Sequence, residues 1–254
     1  MARIIGVINQ KGGTAKTTTS VNLSAYLAAM GKYVLMVDLD PQANATTGVG
    51  HRSGEEDMNI YHAIIDGHDT GALIKKTDMF GFDVLPAASS LAGATVELAS
   101  LNGREFRLKN ALSKIRTDYD YIVIDSPPSL GLLTLNGLVA SEQLVIPVQC
   151  EYYALEGLTQ LLETIELVRG SLNPDLKIMG VVLTMFDKRN RLAQEVVREV
   201  RQNFPGHVFE SVIPRSISLA EAPSFGKTIY QFDPRSKGAE AYRELAEEVI
   251  KIDD

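Results

Sequence analysis

The sequence predicts an α/β fold, a mostly parallel, twisted sheet with helices on both faces. Three observations point there. Apolar β-branched runs alternate with helix-length amphipathic segments along the chain, the pattern of strands joined by helical crossovers. Several of the runs, such as Val34–Val37 and Ile122–Ile124, are apolar throughout, as in strands buried on both sides. A glycine-rich turn follows the first run and opens the first helical segment, and sheets of this kind place ligands beyond the carboxyl ends of their strands.

Taken in order, the expected strands are Ile4–Ile8, Tyr33–Asp38, Phe82–Pro86, Tyr121–Asp125, Leu144–Val148, Lys177–Thr184 and a short Val208–Ser211. Helical spacing of apolar residues covers Thr17–Met30, Arg104–Thr117, Leu155–Gly170, Leu192–Phe204 and Lys237–Ile252. Gly48–Asp78 is polar and loop-rich, with room for one or two short helices. The chain has 254 residues, 45% of them hydrophobic and 22% charged. That suits one large domain over residues 1–254. Neither an internal repeat nor a low-complexity linker interrupts it.

Bulk chemistry narrows the function classes. The formal net charge is −7, so contact with nucleic acid requires a local basic face. The single cysteine, Cys150, excludes an intrachain disulfide and fits a reducing, cytoplasmic setting. Its neighbours Val145-Ile146-Pro147-Val148-Gln149 make it a small residue at a strand end rather than a nucleophile. His51, His62, His68 and His207 lack paired ligand spacing, which argues against zinc. Arg3 leads straight into the first strand, without a signal-peptide pattern, and no apolar run reaches membrane-spanning length.

The turn Gln10-Lys11-Gly12-Gly13-Thr14-Ala15-Lys16-Thr17-Thr18 is the most informative stretch. A strand, a glycine-rich turn and a helix start form a phosphate cradle of backbone N–H groups and partial positive charge. Lys16 is placed to reach terminal phosphates and the Thr17 hydroxyl to ligate Mg²⁺. The strict P-loop pattern wants glycine where Gln10 and Ala15 stand. The chain offers instead a second lysine, Lys11, at the mouth of the site, free to act on a γ-phosphate across a subunit boundary. The plainer alternative is a turn with solvated lysines.

Two carboxylate motifs complete the set. Tyr121-Ile122-Val123-Ile124 ends in Asp125, at the sheet edge that faces the turn, where it can hold Mg²⁺ directly or through water. The stiff loop Ser126-Pro127-Pro128-Ser129-Leu130-Gly131 follows and suits a response to a γ-phosphate. Val34–Val37 leads to Asp38-Leu39-Asp40-Pro41-Gln42-Ala43-Asn44. Asp40, further out, is expected to orient an attacking water, and Asp38 to have a structural or outer-shell role. Capping of a turn by Asp125 and turn initiation by Asp40-Pro41 are the plainer readings. One more segment carries charge. Lys188, Arg191, Arg198 and Arg201 share an arc of a helix opposite Val196, Val200 and Phe204, with Arg189 at its start. Glu195 and Glu199 intrude, so a solvated mixed-charge face and a DNA face both stay open.

These motifs, together with Pro147–Gly157, Ile213-Pro214-Arg215 and Leu219–Lys227, resemble the ParA/Soj family of partitioning ATPases, in order and over nearly the whole chain. The resemblance implies a P-loop NTPase fold with a deviant Walker A motif. In that family pattern Lys11 reaches the partner's nucleotide in a homodimer closed over ATP, and Lys16 holds its phosphates within a loop running from Lys11 through Gly12, Gly13, Thr14 and Ala15 to Thr18. Thr17 and Asp125 serve Mg²⁺, Asp40 serves hydrolysis, and Pro214, Arg215 and Ser216 flank the adenine. The resemblance further implies non-specific DNA binding by the ATP dimer, on the nucleoid in the cytoplasm, and a ParB-like centromere-binding partner that stimulates hydrolysis. It favours the DNA face on the basic helix. The chain departs from the family at Ala15, where glycine is usual, and at Ser218, where relatives can carry a basic residue.

Three alternatives have sequence handles. A MinD-like membrane-associated regulator needs a basic amphipathic tail. The tail here is acidic, with Glu240, Glu244, Glu247 and Glu248 against Lys237, Arg243 and Lys251, and the expectation is no membrane contact. A reductase with a bridging Fe–S cluster needs paired cysteines, which one Cys150 cannot supply. A nucleotide-gated scaffold with little hydrolysis is the reading that Ala15 favours.

Overall fold

The computed structural model describes the whole chain except Ser53, Glu55, Glu56, Tyr152, Tyr153 and Asp254. Tyr152 and Tyr153, within the Pro147–Gly157 resemblance, therefore lie outside the described residues. Eight strands form one sheet: β1 (Arg3–Val7), β2 (Val34–Asp38), β3 (Lys75–Lys76), β4 (Phe82–Leu85), β5 (Tyr121–Asp125), β6 (Gln143–Gln149), β7 (Lys177–Phe186) and β8 (Val208–Pro214). Their order is β3-β4-β2-β5-β1-β6-β7-β8. All pairings are parallel except that of the two-residue edge strand β3 with β4. β1 lies between β5 and β6, so the chain leaving it toward β2 crosses β5, and the β5–β6 connection crosses β1. The carboxyl end of β1 is thus a point where crossovers diverge and leave a crevice.

Alternation of side chains along the buried strands feeds a core on each face. Val34 and Met36 join Leu23, Leu27, Tyr242, Leu245 and Val249 on one face, whereas Leu35 and Val37 join Ile60, Leu91, Leu98, Leu108 and Leu112 on the other. A third cluster packs Leu144, Ile146 and Val148 against Leu161, Ile165, Val196 and Val200. Each fully buried aliphatic side chain contributes about 1.5–3 kcal/mol. The first helix, α1 (Lys16–Ala29), is buried along most of its length. The terminal helix Lys237–Asp253 covers it, with Ala239, Tyr242, Leu245, Ala246 and Val249 buried. The tail thus commits its apolar face to its own core.

The structure departs from the sequence expectations in identifiable places. Helices Leu91–Ala99 and Leu132–Ala140 were not anticipated. The second is buried on nearly every side, so it lacks the polar face that makes a helical period readable. The expected Arg104–Thr117 helix begins as a 3₁₀ turn, Arg104–Phe106, and is α-helical only over Arg107–Ser113. The buried Asn136 side chain explains the break: it donates to the Arg104 carbonyl at 2.8 Å and accepts from the Leu108 amide at 3.1 Å. β8 runs on to Pro214 beside β7, beyond the expected end at Ser211. β3 escaped notice because two exposed lysines carry no period, and Lys76 is held by Asp83 at 2.7 Å.

Gly226 fixes the approach of residues 222–226 to the turn after the short helix Asn44–Gly48. Its φ is +62°, and a Cβ there would lie 2.7 Å from the Gly50 Cα. Backbone cannot yield as a side-chain tip can, and the left-handed conformation itself disfavours alanine by about 1 kcal/mol. Gly226→Ala is expected to lower the urea midpoint by more than that strain alone, with an unchanged m-value.

Candidate functional site

The loop between β1 and α1 is pinned from both sides. Asn9 donates to the Pro147 carbonyl at 2.7 Å and accepts from the Lys11 amide at 3.0 Å. Buried Thr184, on β7, donates to the Thr14 carbonyl at 3.0 Å. Gly13 and Ala15 both have positive φ, +75° and +68°. Glycine adopts that region freely, and alanine does not. The Lys16 side chain is buried and donates to the Lys11 carbonyl at 3.0 Å. Burial lowers its pKa, an effect opposed by the nearby Asp125 and Asp40 carboxylates.

Asp125 stands opposite this loop at the end of β5, fully buried and in register with Asp38 of β2. Thr17 donates to one of its oxygens and Ser20 to the other, each at 2.8 Å. Asp38 is held by the Thr46 amide at 2.8 Å and hydroxyl at 2.7 Å, and by the Asp40 amide at 3.1 Å. Those bonds shape the loop after β2 and match the structural role expected of Asp38. Desolvation pushes both carboxyls up, Asp38 to about 6 and Asp125, with Asp38 adding to the effect, to about 7. The hydroxyl and amide donors only partly offset this. Asp40 is nearly buried and accepts from the Gln42 amide at 2.9 Å.

A cavity of about 290 Å³ opens between these groups, lined by Gly12, Gly13, Ala15, Lys16, Thr17, Thr18, Asp40, Asn44, Pro128 and Met185. A second, of about 180 Å³, shares Ala15, Thr18 and Met185 with it and extends to Ile213, Pro214, Arg215 and Ser216. The two together form a chamber with a largely apolar annex. A groove of about 430 Å³ lies elsewhere, lined by Leu130, Leu132, Leu135 and Leu138 together with Thr95, Thr134 and Thr164.

The structure brings Gly12, Gly13, Ala15, Lys16, Thr17, Thr18 and Asp40 to the chamber, with Thr14 buried in the same loop and Asp125 buried behind Thr17, and Pro214, Arg215 and Ser216 to its annex. Lys11 sits at the mouth, where its ammonium faces Glu151 of its own chain at 3.9 Å. The basic residues lie elsewhere. Arg191, Arg198 and Arg201 are exposed on the helix Arg191–Asn203, whose buried side is Ala193, Val196 and Val200. Arg189 pairs with Asp187 at 2.9 Å and Arg201 with Glu210 at 3.2 Å, whereas Lys188, Arg191 and Arg198 form no ion pair among the described residues. Cys150 is buried, its thiol pushed up to about 12 by desolvation, as a packing residue should be. No described helix is long and apolar enough to cross a membrane.

Sequence reasoning missed Ser20, Thr184, Met185 and Glu151. Ser20 is one helical turn beyond Lys16, a spacing that offered a signal. The other three reach the site from distant strands, and nothing local marks them. Met185 adopts φ +53°, rare for a side chain of its size.

Comparison with known proteins follows the same lines. A family model described as an AAA domain matches residues 2–178. The chain is 55% identical over 249 residues to the sporulation initiation inhibitor protein Soj of Bacillus subtilis, covering 98% of each chain. It is 50% identical over 253 residues to the chromosome partitioning protein ParA of Myxococcus xanthus, covering 100% of this chain and 89% of that one. Among solved structures it resembles cobyrinic acid a,c-diamide synthase of Mycobacterium smegmatis with bound ATP analogue and magnesium. The TM-score is 0.87 at 39% identity, over 99% of this chain and 95% of the other.

Two outcomes test the geometry. The native carboxyls at Asp38 and Asp125 keep their protons to higher pH than those of the unfolded chain, with pKa near 4. The folded state therefore binds more protons between about pH 4 and pH 7, and stability falls as pH rises through that window. The ligand-free melting temperature is expected to be lower at pH 8 than at pH 5.5 on this account, and Asp125→Asn to flatten the slope. Ala15→Gly relieves a left-handed alanine but frees the unfolded chain. The net gain expected in urea titration is at most about 1 kcal/mol.

Proposed function

We propose, for a chain that belongs to the Soj/ParA family of chromosome-partitioning ATPases, an ATP-timed homodimer that binds DNA without sequence preference while its nucleotide is intact. It binds ATP with Mg²⁺ and hydrolyses it slowly, since the purpose is to time a closed state rather than to make product. A ParB-like centromere-binding partner stimulates hydrolysis and so ends DNA binding. The protein acts on the nucleoid, in the cytoplasm.

One observation carries the nucleotide reading: the Thr17 hydroxyl, the Asp125 carboxylate and the buried Lys16 ammonium converge beside the cavity at the carboxyl edge of a parallel sheet. Mg²⁺ favours hard oxygen ligands and keeps much of its water. Thr17 and Asp125 fit it, because the side-chain hydrogen bonds to the buried carboxylate come from hydroxyls that a hard cation can share. When bound, the ion neutralises phosphate charge. The chain itself does the positioning. Lys16 and the loop from Gly12 to Thr18 hold the phosphates, and Pro214–Ser216 flank the base. Asp40 orients the water, and Lys11 answers a triphosphate in the facing subunit. Phosphoryl transfer rests on positioning and electrostatics, so this set suffices.

The DNA reading is supported by the short path along β7. Met185 lines the nucleotide cavity, and the cationic run begins three residues on at Lys188. A chain of net charge −7 binds DNA only where such a stripe is concentrated, and a dimer presents it twice. Retention on random-sequence DNA is expected with ATP and not with ADP, and it should fall steeply with salt. Arg191→Ala with Arg198→Ala should flatten the log–log salt slope by about 0.9 for each phosphate that is no longer neutralised. Equal retention of the apo and ATP-bound protein overturns the reading.

A further inference from the structure

At the end of β6, Glu151 collects three contacts from three different parts of the chain. Gln149 donates to one carboxylate oxygen at 2.7 Å, Arg215 approaches that oxygen at 3.6 Å, and Lys11 faces the other at 3.9 Å. The carboxylate is anchored from behind: the Cys150 amide is bonded to the Thr184 carbonyl at 3.0 Å, and the Gln149 amide group also reaches the Met185 sulfur at 3.3 Å. Lys11 is held differently. Its amide and carbonyl are engaged by Asn9, Thr14 and Lys16, so its backbone is fixed. Its ammonium has Glu151 as its only ion-pair partner among the described residues. An ammonium turned toward its own chain's carboxylate is not available to a phosphate in another subunit.

We propose that Glu151 is a positioning residue that retains Lys11 in its own subunit until the triphosphate of a facing subunit outcompetes it, and so sets the nucleotide concentration at which two subunits close. This rests on the ATP-dependent dimer proposed above. The contact has the strength of a releasable catch. Both side chains are substantially exposed, 38% for Lys11 and 49% for Glu151, and an exposed ion pair is weak and screened by salt. A γ-phosphate with its higher charge displaces a single carboxylate. Arg215, which lines the annex of the nucleotide cavity, shares the same carboxylate and links occupancy of that annex to release of Lys11.

The test compares the wild-type chain with Glu151→Gln, which keeps the size and removes the charge at a half-exposed position. Light scattering along a titration with a non-hydrolysable ATP analogue gives the midpoint of dimer formation, and a parallel titration gives ADP affinity. Glu151→Gln is expected to lower the dimer midpoint about two- to five-fold, as removal of one exposed pair allows. ADP affinity should rise by less, and the difference between the two proteins should shrink toward none as salt is added. A purely structural role for Glu151 would not produce that salt-dependent convergence. A midpoint that stays put or rises, or an equal gain for ADP, overturns the inference while leaving the dimer intact. A wild-type chain that stays monomeric at saturating analogue overturns the dimer reading and this inference with it.

Discussion

The Asp125 carboxylate, buried and shared between the Thr17 and Ser20 hydroxyls, is the constraint on which the rest of the site depends. It joins the end of β5 to the first turn of α1 and so sets the distance between the loop after β1 and the centre of the sheet. Asp38 lies directly beside it in the register, which adds repulsion to desolvation. Two acids side by side are costly in a core. The same carboxylate, with Asp40, opposes the depression of the Lys16 pKa, so the charges of the chamber are balanced within it rather than by solvent.

Backbone conformation tells a parallel story. The only described non-glycine residues with positive φ are Ala15, Ala43 and Met185. Ala15 and Met185 line the cavity, and Ala43 adjoins Asn44, which lines it too. Each such residue costs on the order of 1–3 kcal/mol, and the surrounding contacts must over-determine it. Those contacts are visible. Thr184 grips Thr14, next to Ala15, and Asp38 grips Thr46, beyond Ala43. Strain thus gathers at three positions around one chamber, two in loops and one near the end of β7.

Outside the chamber, charge is organised by pairing. Arg189 and Arg201 are met by carboxylates of their own chain, and Lys188, Arg191 and Arg198 have no such partner among the described residues. In an acidic protein these few cations form a local exception. Their position just beyond β7 puts them within one loop of Met185. The acidic outer face of the terminal helix, by contrast, belongs to an element whose apolar side is already taken up by α1 and β8.

How much of this was legible beforehand depends on range. The doubly covered parallel sheet followed from alternation and from fully apolar strands, because burial on both faces leaves its mark on every residue of a strand. The phosphate loop and the strand-end acids were legible for the same reason: a strand, a turn and a helix start lie within about twenty consecutive residues. At Ala15 the sequence marked only a departure from the glycine usual there, and its positive φ belongs to the structure. The helix Leu132–Ala140, buried on nearly every side, carried no period to read, and the break at Arg104–Arg107 is written in Asn136, about thirty residues away. Likewise Glu151, Thr184 and Met185 gain their meaning only when β6 lies beside β1 and β7 beside β6. The sequence by itself determined the layers, the loop and its chemistry, since those are local patterns of side chain and spacing. Which carboxylate meets Lys11, which hydroxyl steadies the loop and which arginines find a carboxylate were decided by the tertiary structure, since an electrostatic contact depends on distance through space and not along the chain.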